Sequence, residues 1–219
     1  MTLQLGLLTF FPVLIAIILH EIAHGYVAYL LGDDTAKNKG RLSLNPLHHI
    51  DILGTLVLPS LLWICHAGFI FGWARPVPIN PYKLKHTSRD EIIVASAGIL
   101  MNLFLAIISA LILYLVAFIP SSYLKGLLSL FFVNMIVFNV GLAVFNAIPI
   151  PPLDGSKILF SGIKRPWAQK YLNSCNYGLI IMVLLLFVIP SIGASFGLDL
   201  NLIKNYIISV TRYICSLLI

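Results

Sequence analysis

Apolar residues run along this chain in blocks too long for an ordinary soluble core. Four strong blocks lie at about 3–31, 92–119, 127–150 and 177–190. Their length and near-absence of charge predict membrane helices. A weaker block at about 201–219 carries Lys204 and Arg212 and predicts a tilted or interfacial helix. Another apolar run at about 52–71 is broken by Gly54, Pro59 and Gly68. The polar stretch 32–50 contains Arg41 to Leu44, which alternates enough to predict a short strand. From Phe71 to Pro81 the chain holds Pro76, Pro78 and Pro81, too many for a helix, and reads as extended or edge-strand backbone. Ser88 with Glu91 three residues on forms a capping box at the start of the next helix. That gives Glu91 a structural task. The chain has one other glutamate, Glu21.

Composition sharpens the class. Of 219 residues, 59% are hydrophobic and 10% are charged, and the mean hydropathy is +0.98. Globular chains carry roughly 25% charged residues. An all-α membrane protein follows: a polytopic helical bundle built as one domain over 1–219, with a core at about 3–160 and further helices at about 176–219. The formal charge of +6 is spread over short loops. It points to membrane orientation and away from nucleic acid. The first residues lack a basic n-region and the first block lacks a small-residue cleavage site, so a cleaved leader is not expected. Cys65, Cys175 and Cys215 are too far apart for metal-clip spacing and read as apolar fillers.

The candidate chemistry sits inside the first block, where His20-Glu21-Ile22-Ala23-His24 forms the H-E-x-x-H pattern. Residues four apart share one helix face. Two imidazoles there can hold one Zn²⁺, with the glutamate as general base. Ionisable residues at membrane depth are costly and mark function. Catalytic zinc takes three protein ligands as a rule. The best third candidate is Asp154, where prolines stop the block at 127–150. His20 and His24 lie near the exit of the first block. Asp154 reaches the same side only if 52–71 is re-entrant or interfacial, as Pro59 and its flanking glycines favour. This path puts Arg75, Lys83, Lys85 and Arg89 on one side with Lys157, Lys164, Arg165 and Lys170, and that side is then cytoplasmic.

These residues resemble the site-2 proteases, intramembrane zinc metalloproteases. The resemblance covers about 10–160 and rests on three elements in order: His20-Glu21-x-x-His24, Gly98-x-x-x-Asn102, and Asn146-x-x-Pro149-x-Pro151-x-Leu153-Asp154-Gly155. Gly32-Asp33-x-Thr35-Ala36, Leu44-Asn45-Pro46, His49-Ile50-Asp51 and Phe71 to Pro78 resemble the small bacterial and archaeal branch without extra soluble domains. Ile99 stands where relatives often have Pro, and Ser156 where they often have Gly. The resemblance implies a multi-pass protein of a prokaryotic cell (inner) membrane. It also implies one Zn²⁺ per chain and a single-span membrane protein as substrate. It assigns Asn146 to the substrate or oxyanion.

Other residues take simpler roles. Asn102 with Gly98 reads as close helix packing, and Asn139 as interhelical glue. His49 and Asp51 can orient a ligand, but an interfacial polar loop is the preferred reading of His48, His49 and His66. The extended stretches at 33–45 and 71–81 can pair with an unwound substrate. Two rival classes remain. A silent zinc-binding scaffold has no need of Glu21. An ion transporter would want more intramembrane carboxylates and inverted repeats.

Overall fold

The computed structural model describes residues 3–57, 60, 64 and 74–219. Three long helices form its body: α1 (Leu3–Leu30), α3 (Thr87–Val116) and α4 (Ser122–Asn146), with the short α2 (Thr35–Asn38) between the first two. Gly6–Leu30, Thr87–Val116 and Ser122–Asn146 are each long and apolar enough to cross a bilayer. Large apolar side chains such as Phe104, Leu111 and Leu115 face outward, whereas His20, His24, Asn102, Ser109 and Asn139 are buried. This is the arrangement expected when lipid surrounds the bundle and polar groups must find partners inside it.

Cross-helix bonds fix the helix directions. His24 meets Val94, while Ala16 and His20 meet Asn102, so α1 and α3 run antiparallel. Asn134 of α4 reaches Leu8 of α1, and the chain after α4 brings Asp154 to His20, so these two helices run parallel. The end of α1, the start of α3 and the end of α4 therefore share one end of the bundle. The segment 31–86 begins and ends at that end of the bundle. Of 52–71, the described part is mainly a π-helical turn at Ile52–Val57. The rest, with His66 and the prediction of a re-entrant path, lies outside the described residues.

Two local expectations are corrected. Among the described residues there is no strand. Arg41 to Leu44 and the chain from Ala74 to Asn80 form no ladder and are joined through the Arg41 side chain, since Pro76 and Pro78 lack the N–H groups a ladder needs. The capping box also shifts. α3 is capped at His86, whose backbone N–H donates to Asp90 Oδ2 at 2.8 Å, so Asp90 rather than Glu91 closes the first turn.

After α4 the chain turns through Pro149, Pro151 and Pro152 into α5 (Asp154–Phe160) and α6 (Pro166–Leu172). α7 (Cys175–Val183) runs through a π-helical stretch, Leu184–Val188, into α8 (Ile189–Ser195). α9 (Leu202–Leu218) lays Ile207, Val210, Ile214 and Leu218 on a core of Ala106, Ile136, Val140 and Val144. The turn that carries Asp154 is tightly held. Tyr171 donates its hydroxyl to Pro149 O at 2.7 Å. A Cβ on Gly155 would stand 2.2 Å from Ala147 O, so α5 can tuck under the end of α4 only with glycine there.

Candidate metal centre

α1 brings His20 and His24 to the same face, one helical turn apart. Along the helix His20 lies about 15 Å, and His24 about 9 Å, below the end of α1. Each imidazole is tied down at Nδ1. His20 Nδ1 donates to Asn102 Oδ1 at 2.5 Å, and His24 Nδ1 donates to Val94 O at 2.7 Å. A carbonyl oxygen can only accept, so in the neutral ring the proton sits on Nδ1 and Nε2 presents its lone pair. The two Nε2 atoms lie 3.0 Å apart. Asp154 Oδ2 stands 3.3 Å from His20 Nε2 and 3.2 Å from His24 Nε2.

Three acceptors thus converge with no donor among them, and Asp154 Oδ2 is buried without a hydrogen bond of acceptable geometry. Such a cluster repels itself unless a cation sits between its members. Ligands of a tetrahedral zinc at 2.0–2.1 Å stand about 3.3 Å apart. The observed separations of 3.0 to 3.3 Å fit that ion. A carboxyl group with an ordinary pKa of about 3.9 is anionic at neutral pH, as a ligand must be. His20, His24 and Asp154 form one group able to hold a metal among the described residues.

Gly98 makes room for this cluster. A Cβ there would lie 2.4 Å from His24 Nε2 and 2.5 Å from His20 Cε1. Four residues on, Asn102 supplies the acceptor for His20. The spacing from Gly98 to Asn102 therefore places a gap and an acceptor on one face of α3, both serving the imidazoles.

Glu21 projects from another side of α1, toward the extended strap at 74–80. Its Oε2 accepts from the Val77 N–H at 2.8 Å. The strap is held at several points. Arg41, itself buried, donates through Nη2 to Arg75 O at 2.8 Å, and the Arg75 N–H donates to His49 O at 2.9 Å. The Asn80 N–H donates to Asp33 Oδ2 at 2.6 Å. The Val77 side chain lies against α1 at Gly25, where a Cβ would meet it at 2.7 Å. Val77 N–H is therefore engaged with Glu21 rather than free for strand pairing.

Of the residues singled out from sequence, His20, His24 and Asp154 come together and Glu21 stands next to them in the chain. Asn146 is half-buried and donates through Nδ2 to Leu142 O at 3.0 Å. His49 bonds Ser43 O at 2.8 Å and His48 bonds Gly40 O at 3.2 Å, both within their own loop. Sequence reasoning missed Gly25 and Arg41, and it read Asn102 as packing alone. The spacing of Asn102 from Gly98 was the signal available.

The sequence profile of peptidase family M50 matches residues 120–189. The chain is 39% identical over 180 residues to YwhC of Bacillus subtilis, a candidate zinc metalloprotease, covering 81% of this chain and 78% of that one. It is 29% identical to the candidate zinc metalloprotease Rip2 of Mycolicibacterium smegmatis, over 90% of this chain and 74% of that one. Its identity to Rip2 of Mycobacterium tuberculosis H37Rv is 28%, over 84% of this chain and 67% of that one. No solved structure matches the chain. With this identity and coverage, and with the three motif elements meeting at one buried site, the chain belongs to peptidase family M50, the site-2 protease family.

Proposed function

We propose that this protein is a zinc-dependent intramembrane endopeptidase that cuts membrane-protein substrates in or near their transmembrane segments. The observation that carries this reading is the convergence of three buried acceptors, His20 Nε2, His24 Nε2 and Asp154 Oδ2, below the end of a membrane-length helix. His20, His24 and Asp154 hold one zinc per chain. Zinc at such a site polarises the scissile carbonyl and lowers the pKa of water toward neutrality. Glu21 is the general base: Val77 fixes its Oε2, which leaves the other carboxylate oxygen to take a proton from the attacking water and pass it to the leaving amine. Asn146 is the donor to the developing oxyanion. Its amide carries two N–H groups, and Leu142 O engages one of them.

The substrate is a single-span membrane protein whose helix unwinds locally, since a helical carbonyl is hidden in its own hydrogen bonds. The site opens toward the cytoplasm of a prokaryotic cell. The basic residues at its end of the bundle support this orientation.

Zinc analysis of detergent-purified protein tests the reading. About one zinc per chain is expected in wild type and far less in Asp154→Ala. Glu21→Gln should keep the zinc and lose cleavage. No zinc in wild type would overturn the proposal.

A further inference from the structure

Asn102 and Asn139 are among the least exposed large residues in the protein, both at 0%. Neither is part of the three-acceptor cluster, yet their amides are joined end to end across three helices. Asn139 Nδ2 donates to Met135 O within α4 at 2.8 Å, which fixes the direction of that amide. Its Oδ1 must then accept, and it does so from Asn102 Nδ2 at 2.8 Å. Asn102 Nδ2 spends its second N–H on Ala16 O of α1 at 3.3 Å. Both donors of Asn102 are thereby used, so its Oδ1 faces His20 as an acceptor only.

We propose that Asn139 and Asn102 form a directional amide relay from α4 through α3 to α1 that holds His20 as the Nδ1–H tautomer and so aims its Nε2 lone pair at the metal. Both are positioning residues. The inference rests on the zinc site proposed above. A flipped Asn102 would present N–H to Nδ1, move the ring proton to Nε2 and block the ligand. Partners of this kind behind a histidine ligand are worth roughly 10–100-fold in metal affinity.

The test is zinc affinity, by competition with a chromophoric chelator, of the full-length protein in detergent. Asn102→Leu is expected to weaken zinc by roughly 10–100-fold. Asn139→Leu should weaken it by several-fold, although that residue lies three contacts from the metal. The decisive comparison repeats Asn139→Leu in an Asn102→Asp background. A carboxylate accepts from His20 through either oxygen, while its other oxygen meets Asn139 Oδ1 as acceptor against acceptor, so Asn139→Leu should there cost nothing or tighten zinc. An equal penalty in both backgrounds, or none in either, would overturn the relay. Asn139→Ala serves as the second variant if melting of the metal-free forms shows that Asn139→Leu does not fold. Wild type that binds no zinc overturns the metal site and the relay together. Wild type that binds zinc while Asn139 variants are indifferent overturns the relay alone.

Discussion

At the scale of the residue, Gly98 separates folding from function. It lies in the middle of α3, where alanine is the better helix former by about 1 kcal/mol. A Cβ at this position would nevertheless enter the space of both imidazoles, 2.4 Å from His24 Nε2. Gly98→Ala is therefore expected to fold and to lose metal, with zinc affinity down at least roughly tenfold. Zinc retained at wild-type affinity would show that α3 can shift to admit the methyl group. Asp33 makes the opposite case, a charged residue whose work is structural. Burial pushes its carboxyl up, but hydrogen bonds from Thr35 and the Asn80 N–H, with Lys83 nearby, leave it below its ordinary value. A carboxyl depressed in the fold stabilises the protein above its unfolded pKa of about 3.9, and the contribution is lost as pH falls through the folded value. Thermal melting should show wild type losing stability as pH falls from about 5 to about 3. Asp33→Asn should be less stable at neutral pH and show a shallower acid decline. Parallel declines would mean that other groups dominate. His20, Glu21 and His24 stood out in the sequence because ionisable residues are rare in apolar blocks, and Asp154 because it follows the prolines that stop the block at 127–150. Asn102 was not legible as the partner of His20, since which faces meet is decided by helix packing rather than by spacing along one chain.

At the scale of the element, three long helices were legible from block length, whereas the block at 177–190 is divided by the π-helical stretch Leu184–Val188 and falls short of a span among the described residues. The joints between helices were not legible. Pro12 illustrates the difference. It lies inside α1, and its missing N–H leaves Leu8 O without its helical donor. Asn134 of α4 donates Nδ2 to that same carbonyl at 3.0 Å. The proline and the asparagine are thus one feature spread over two helices. Pro12→Ala restores the backbone donor and should make Asn134 dispensable. A double-mutant cycle on thermal stability is expected to show Asn134→Leu costing about 0.5–1 kcal/mol with proline present and little with alanine. Equal costs would uncouple the two. The strap at 74–80 was legible as non-helical because of its prolines, but its attachment to Glu21 was not, because that bond joins residues 56 positions apart. Val77→Pro removes the N–H that anchors Glu21. Cleavage of a single-span reporter should fall on the order of tenfold or more while zinc content holds, as expected when a catalytic group loses its alignment. Loss of zinc in step with activity would place the damage in the fold instead. The strand expected at Arg41 to Leu44 failed for a related reason: Arg41 serves the strap through its guanidinium, and its neighbours have no ladder partner among the described residues.

At the scale of the whole molecule, the site depends on a topological condition. Asp154 follows α4 and His20 belongs to α1, so these helices must finish at the same end, and the chain between α1 and α3 must return to where it left. The cross-helix bonds satisfy this condition. They also gather Lys83, paired with Asp34, near the end of α1, and bring Gly162, just past α5, beside Ile92 of α3. The basic residues at 75–89 and 157–170 therefore share one end of the bundle, the end nearer to Glu21, His24 and Asp154. Short basic loops are retained on the cytoplasmic side. In the orientation proposed above, that end faces the cytoplasm, the N-terminus of α1 faces the opposite side, and water would reach the site from within the cell. Lys85→Cys reads this arrangement directly, because Lys85 is exposed on the loop before α3. In a background with the native cysteines replaced, a membrane-impermeant thiol reagent should label position 85 in inverted vesicles and leave it unlabelled in intact cells. A cysteine near residue 6, at the start of the first span, should show the reverse. Labelling of position 85 from outside would turn the bundle over, and the proposed site would then have to draw its water and its substrate from the other face of the membrane.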